Sequence, residues 1–164
     1  MKAITYAKDQ IASVFNLLNI CADGLDDAQY NWSPPGTSNS VAKSHVHALT
    51  AIDFFVMRAA KGGEMSWPVF ASSHNLPAKG QEIWSFEGEI PLAATKEFGQ
   101  QIQKMALEYV ATLKDDDLDT VIDAQFFGKQ PLAFFLQLVS MHTAGHAGDM
   151  AAVKGMQGIK GLPF

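Results

Sequence analysis

The sequence predicts an all-α fold: a four-helix bundle with a long connection between its second and third helices and a short β-prone piece before the fourth. Three observations predict it. Four segments repeat apolar residues at helical spacing, no segment carries a strong strand pattern, and 164 residues suit a single domain, 1–164, around one sizeable core. Bundles of this kind build ligand and metal sites from side chains on facing helices.

The first helix is expected over residues 1–22, where Ile4, Ile11, Val14, Phe15 and Leu18 fall on one face. Gly24 is placed to take a left-handed cap, and the loop "NWSPPGTSN" follows with a proline pair that no helix interior tolerates. Ser38 or Asn39 caps a second helix over 39–60, striped by Val41, His45, Leu49, Ile52 and Val56. Residues 61–89 have glycines, prolines and no sustained period, and a connection this long inside a compact domain is usually functional or disordered. Because it carries Trp67, Phe70, Trp84 and Phe86, it reads as an ordered flap over something apolar. Trp67 and Trp84 are its candidate pocket-lining residues, with local packing anchors as the other reading.

A third helix starts near Ile90 and Pro91 and runs to about Lys114, with Phe98, Ile102, Met105 and Tyr109 facing inward. "KDDDLD" ends it as a solvated turn, and "TVIDAQFFGKQ" forms a small hairpin around Gly128 and Lys129. The last helix, from Pro131 to about Met156, is the most apolar, and "GIKGLPF" follows as an irregular tail.

Hydrophobic residues make up 48% of the chain and charged ones 18%, too apolar for disorder and too scattered for a membrane span. A net charge of -5 without any lysine and arginine run argues against nucleic acid as a partner. The first residues lack the continuous apolar stretch of a secretory signal, and the one cysteine, Cys21, excludes an internal disulfide; both point to the cytoplasm. Cys21 itself reads as a small core residue.

The stretch "SMHTAGHAGDM" sets His142 and His146 four residues apart, so both rings can reach one point from one helical face. A neutral imidazole is a good ligand for zinc, nickel, copper or iron, whereas hydrogen-bonded core histidines have the same spacing. A third histidine is available on the second helix. His45 and His47 lie about 200 degrees apart around its axis, so only one points inward, and periodicity favours His45, which shares the apolar stripe. His74 lies in the flap and reads as an exposed loop residue. Asp149, further along the face of His142, is either a group that orients a ligand or accepts a proton, or a surface carboxylate. Asp53 has the same two readings.

The pattern "NSVAKSHVHALTAIDFF", joined to "MHTAGHAGDMAAVKGMQG" and to the loop "DDAQYNWSPPG", resembles the DinB-like (DinB/YfiT-like) superfamily, whose members are regarded as metal-dependent enzymes. The likeness extends over essentially the whole chain. It implies a four-helix bundle, commonly a homodimer, in which a divalent ion, zinc or nickel, is held by one histidine of the second helix and an H-x-x-x-H pair of the fourth. That pair corresponds to His142 and His146. Counting from Ser40, Val41 and Ala42, the family register implies His47 as the remaining ligand, against the periodicity. The chain departs from the family at Lys43 and Ser44, where bulky apolar residues are usual.

Three histidines leave a coordination position open, as a catalytic ion requires. The resemblance implies an enzyme that transfers or isomerises a small-molecule substrate with a low-molecular-weight thiol; other members are regarded as metal-dependent hydrolases, and many have no assigned activity. Asp149 is the candidate catalytic group by its place on the helix face. A non-catalytic ligand-binding or stress-response module with a structural or adventitious ion is the remaining reading.

Overall fold

The computed structural model describes residues 2–124 and 126–162, so Gln125 in the β-prone piece and the last two residues of the tail lie outside it. The elements are α1 (Ala3–Ala22), α2 (Asp27–Asn31), α3 (Val41–Ile52), α4 (Trp67–Ser73), α5 (Leu92–Thr112), β1 (Val121–Ala124), β2 (Gly128–Pro131) and α6 (Leu132–Met156). A π-helical stretch, Asp53–Ala60, continues α3, and 3-10 turns occupy Gly80–Ser85 and Asp115–Asp119. The chain is all-α apart from one antiparallel hairpin.

The bundle consists of α1, α3, α5 and α6. The sixth helix packs along both α1 and α3, and α5 packs on those same two from the other side. Helices that follow one another in the chain, α1 then α3 and α5 then α6, are therefore largely diagonal partners. Long connections through α2 and through the hairpin make that order reachable. Each apolar stripe of α1 and α3 is buried as its period requires: Ile4, Ile11, Val14, Phe15 and Leu18 on one, and Val41, His45, Leu49, Ile52 and Val56 on the other. Every such aliphatic or aromatic side chain removed from water contributes roughly 1.5–3 kcal/mol, which is why the stripes rather than local propensity hold the helices together.

Several helix ends are closed by distant residues. Asp115 Oδ1 accepts the Ile4 amide at 2.9 Å at the start of α1, and Lys8 Nζ donates to the carbonyls of Ala111 and Leu113 at the end of α5. These reciprocal contacts satisfy terminal groups that a helix cannot satisfy itself. The expected solvated turn at 115–119 is thus also a cap. The Asp27 carboxylate accepts the Leu92 amide at 3.0 Å, and Asn31 pairs with both backbone groups of Ile90, so α2 sets the entry of α5.

Four local expectations change. The loop after α1 contains α2, whose Asp26 and Gln29 form a reciprocal capping box. Ser40, rather than Ser38 or Asn39, caps α3 by accepting the Lys43 amide. Met105 faces outward, 37% exposed, because the buried face of α5 runs through Thr95, Phe98, Ile102, Ala106 and Val110. The hairpin turns before Gly128, which already pairs with Ala124 and adopts a left-handed φ of 63°.

The connection from residue 61 to residue 89 is ordered, as its aromatic residues lead one to expect. Trp67 is fully buried at the start of α4; its amide donates to Asp53 Oδ2 at 2.7 Å and its indole Nε1 to the Pro77 carbonyl at 3.1 Å. Trp67 and Phe70 pack on Phe98 of α5, so this part of the flap covers core. Among the described residues no helix is long and apolar enough to cross a membrane.

Candidate metal centre

His47 belongs to α3 and His142 and His146 to α6, the two helices that pack side by side. The buried stripe of α6 runs through Phe135, Val139, Thr143, Ala147 and Met150, and the two histidines flank it, half-buried. On α3, His47 occupies the same kind of border position. The apolar stripe marks the middle of the core, while the three imidazoles meet at its edge, where polar groups retain access to water.

One ring nitrogen from each of His47, His142 and His146 lies within 4.8 Å of the other two. The Nε2 atoms of His47 and His142 face one another at 3.2 Å. Two nitrogens bound to one tetrahedral ion at normal zinc–nitrogen lengths are about 3.3 Å apart. His146 donates from Nδ1 to Asp149 Oδ2 at 3.1 Å, which leaves its Nε2 for the shared point. Ring centroids are 5.0 Å apart for His47 and His142, 4.9 Å for His47 and His146, and 4.5 Å for His142 and His146.

The set is electrostatically suited to a cation. Burial, reinforced by the nearby imidazoles, pushes His142 down to about 4, and burial followed by the influence of His146 also lowers His47. Both rings are neutral at pH 7, as ligands must be. The Gly80 backbone acts in the opposite direction on His47, and Nδ1 of His47 and of His142 are buried without a hydrogen-bond partner. As a hydrogen bond, the Nε2 to Nε2 approach uses one of these nitrogens as donor and the other as acceptor. A shared cation uses both lone pairs.

Aromatic rings enclose the group. Trp84 lies 4.5 Å from His47 and 5.9 Å from His146, ring centre to ring centre, and Phe55 lies 5.9 Å from His142. Of the two flap tryptophans, Trp84 is at the centre and Trp67 is not. Phe55 was not apparent in the sequence as a site residue, since it follows Phe54 in an ordinary apolar run. His45, favoured by periodicity, is a core histidine instead: it is 1% exposed and its Nδ1 pairs with the Tyr30 hydroxyl at 2.9 Å. Burial, aided by the Lys96 ammonium, pushes it down to about 3, so it stays neutral. His74, expected as an exposed loop residue, is half-buried at the end of α4, where its ring packs on Phe70. Asp53 meets α4 rather than the histidines.

Several solved structures share this fold. The sibling lethal factor precursor DfsB matches with a TM-score of 0.69 and 16% identity, covering 97% of this chain and 99% of that one. A DinB-like protein from Bacillus subtilis matches with a TM-score of 0.69 and 19% identity over 97% and 96% of the two chains. A conserved protein from Enterococcus faecalis reaches a TM-score of 0.76 at 14% identity over 94% and 96%. At these identities the likeness concerns the fold. No curated protein matches the chain. The family model of the DinB superfamily, however, matches residues 10–150, a span that includes all three histidines, and on that ground the chain belongs to the DinB superfamily.

Proposed function

We propose that this chain is a divalent-metal-dependent enzyme of the thiol transferase or isomerase kind, its ion held by His47, His142 and His146. The observation that carries the reading is the approach of three imidazole nitrogens, from two helices, to within 4.8 Å of one another. An all-imidazole donor set suits zinc or nickel better than the hard, oxygen-seeking cations. When bound, such an ion lowers the pKa of a thiol or water beside it and so provides a nucleophile at cellular pH.

The chain's own residues supply the rest. Asp149 orients His146 through Nδ1, fixing the tautomer that frees Nε2, and its side chain is 64% exposed, open to take up a proton. Trp84 and Phe55 give the centre apolar walls, which favour an apolar electrophile over a charged one.

Elemental analysis of protein purified without an affinity tag tests the centre: about one ion per chain is expected, and none in the variant with all three histidines changed to alanine. Asp149→Asn should weaken metal affinity by about 10- to 100-fold. Metal retained at full occupancy by the triple variant overturns the site. Turnover of an aryl halide with a small thiol supports the transferase reading; ester or amide hydrolysis alone selects the hydrolase, and no turnover with a lowered melting temperature on chelation selects a non-catalytic module.

A further inference from the structure

We propose that Lys43 is a positioning residue for the histidine centre: its ammonium latches the Gly80–Ser85 turn over His47 and so closes one side of the centre to small molecules. The inference rests on the metal-centre reading above.

Lys43 stands one helical turn before His47, so the two side chains leave α3 on the same face. Its Nζ donates to the Trp84 carbonyl at 3.0 Å, and the Trp84 indole is the ring that lies 4.5 Å from His47. The turn has two other attachments. At its start Gly80 lies flush on α3, where a Cβ would come within 2.3 Å of Thr50 Oγ1, and Ile83 is fully buried in the core. The backbone of the turn is therefore anchored at one end and in the middle; at the end that carries the indole, the ring packs on His47 and His146 and the Lys43 ammonium holds the backbone carbonyl.

Lys43 also lines an open cleft of about 420 Å³ with Ser40, Phe86 and Glu89, so its bond to Trp84 competes with solvent. A charged donor on a carbonyl is stronger than a neutral hydrogen bond, and a cation at the end of a helical turn satisfies a carbonyl that the turn leaves free. A bulky apolar residue at this position cannot make that bond. With the latch made, approach to the ion is left to the side away from Trp84.

The test uses Lys43→Met, which keeps the stem and removes the charge, and Lys43→Arg, which restores a donor. Amide hydrogen exchange in the metal-free chain should become about tenfold faster over 80–86 in the Met variant and stay unchanged in α1 and α5. Zinc release from the loaded protein to excess EDTA should also become about tenfold faster, with both effects reversed by Arg. Unchanged exchange over 80–86 overturns the latch whatever the metal does. Faster exchange with unchanged zinc release overturns the shielding role, and faster exchange spread over α1 and α5 shows a general stabiliser instead. Wild-type protein that takes up neither zinc nor nickel fails the metal-centre reading itself, a result independent of the exchange data.

Discussion

Asp53 is fully buried, with Oδ2 accepting the Trp67 amide and Oδ1 lacking any partner. Burial pushes its carboxyl up to about 6, although the backbone amides of Trp67 and Ser66 pull it down. The folded chain thus binds this proton more tightly than the unfolded chain, whose carboxyl titrates near 3.8. Its contribution to stability is greatest below the unfolded value and is lost as pH rises through about 6, a change of up to about 3 kcal/mol. In metal-free protein, Asp53→Asn should gain stability relative to the wild type between about pH 4 and about pH 7, measured by urea unfolding at both ends. A pH-independent difference would show that the carboxyl titrates normally. At this same scale the centre was half legible. The spacing of His142 and His146 follows from helical geometry, but periodicity selected His45 over His47, because an apolar stripe identifies core positions and the three-histidine cluster sits beside the stripe. The family register, which counts along the chain instead, pointed to the residue that meets the other two.

Four bundle helices were legible because each is long enough for its apolar period to repeat. The five residues of α2 are too few for a period, and the capping box of Asp26 and Gln29 emerges only in the structure. The π-helical register of Asp53–Ala60 leaves no mark that an apolar period can reveal. The Gly80–Ser85 turn was legible only as an ordered aromatic connection, and its glycine now has a specific reason. At Gly80→Ala the new Cβ would meet Thr50 Oγ1 at 2.3 Å and Thr50 Cβ at 2.6 Å, with Thr50 itself buried and its hydroxyl bonded to the His47 carbonyl. Neither group is a flexible tip that can swing away. The substitution should destabilise the chain by about 1–3 kcal/mol, read by denaturant titration, and Thr50→Ala in the same chain should recover part of that loss. Equal stability of Gly80→Ala and wild type would mean that the turn does not lie flush on α3.

At the scale of the molecule, the three histidines join α3 to α6, and α6 is the helix that packs on both α1 and α3. An ion held there would cross-link two halves of one core and would favour the folded chain, because the unfolded chain separates His47 from His142 by 95 residues. Stabilisation by such a ligand follows mass action: free zinc at about a hundredfold its dissociation constant adds about 2.7 kcal/mol. For a chain of this length each kcal/mol moves the melting temperature by about 2–4 °C, so zinc should raise it by roughly 5–10 °C in a thermal melt. His47→Ala removes one of the three histidines and the only one of them on α3, so a cross-link through the group would disappear even if α6 kept weak affinity through its own pair. In that variant the rise should fall close to zero. An equal rise with and without His47 would locate the stabilising ion elsewhere, and the two helices would then be held by packing alone.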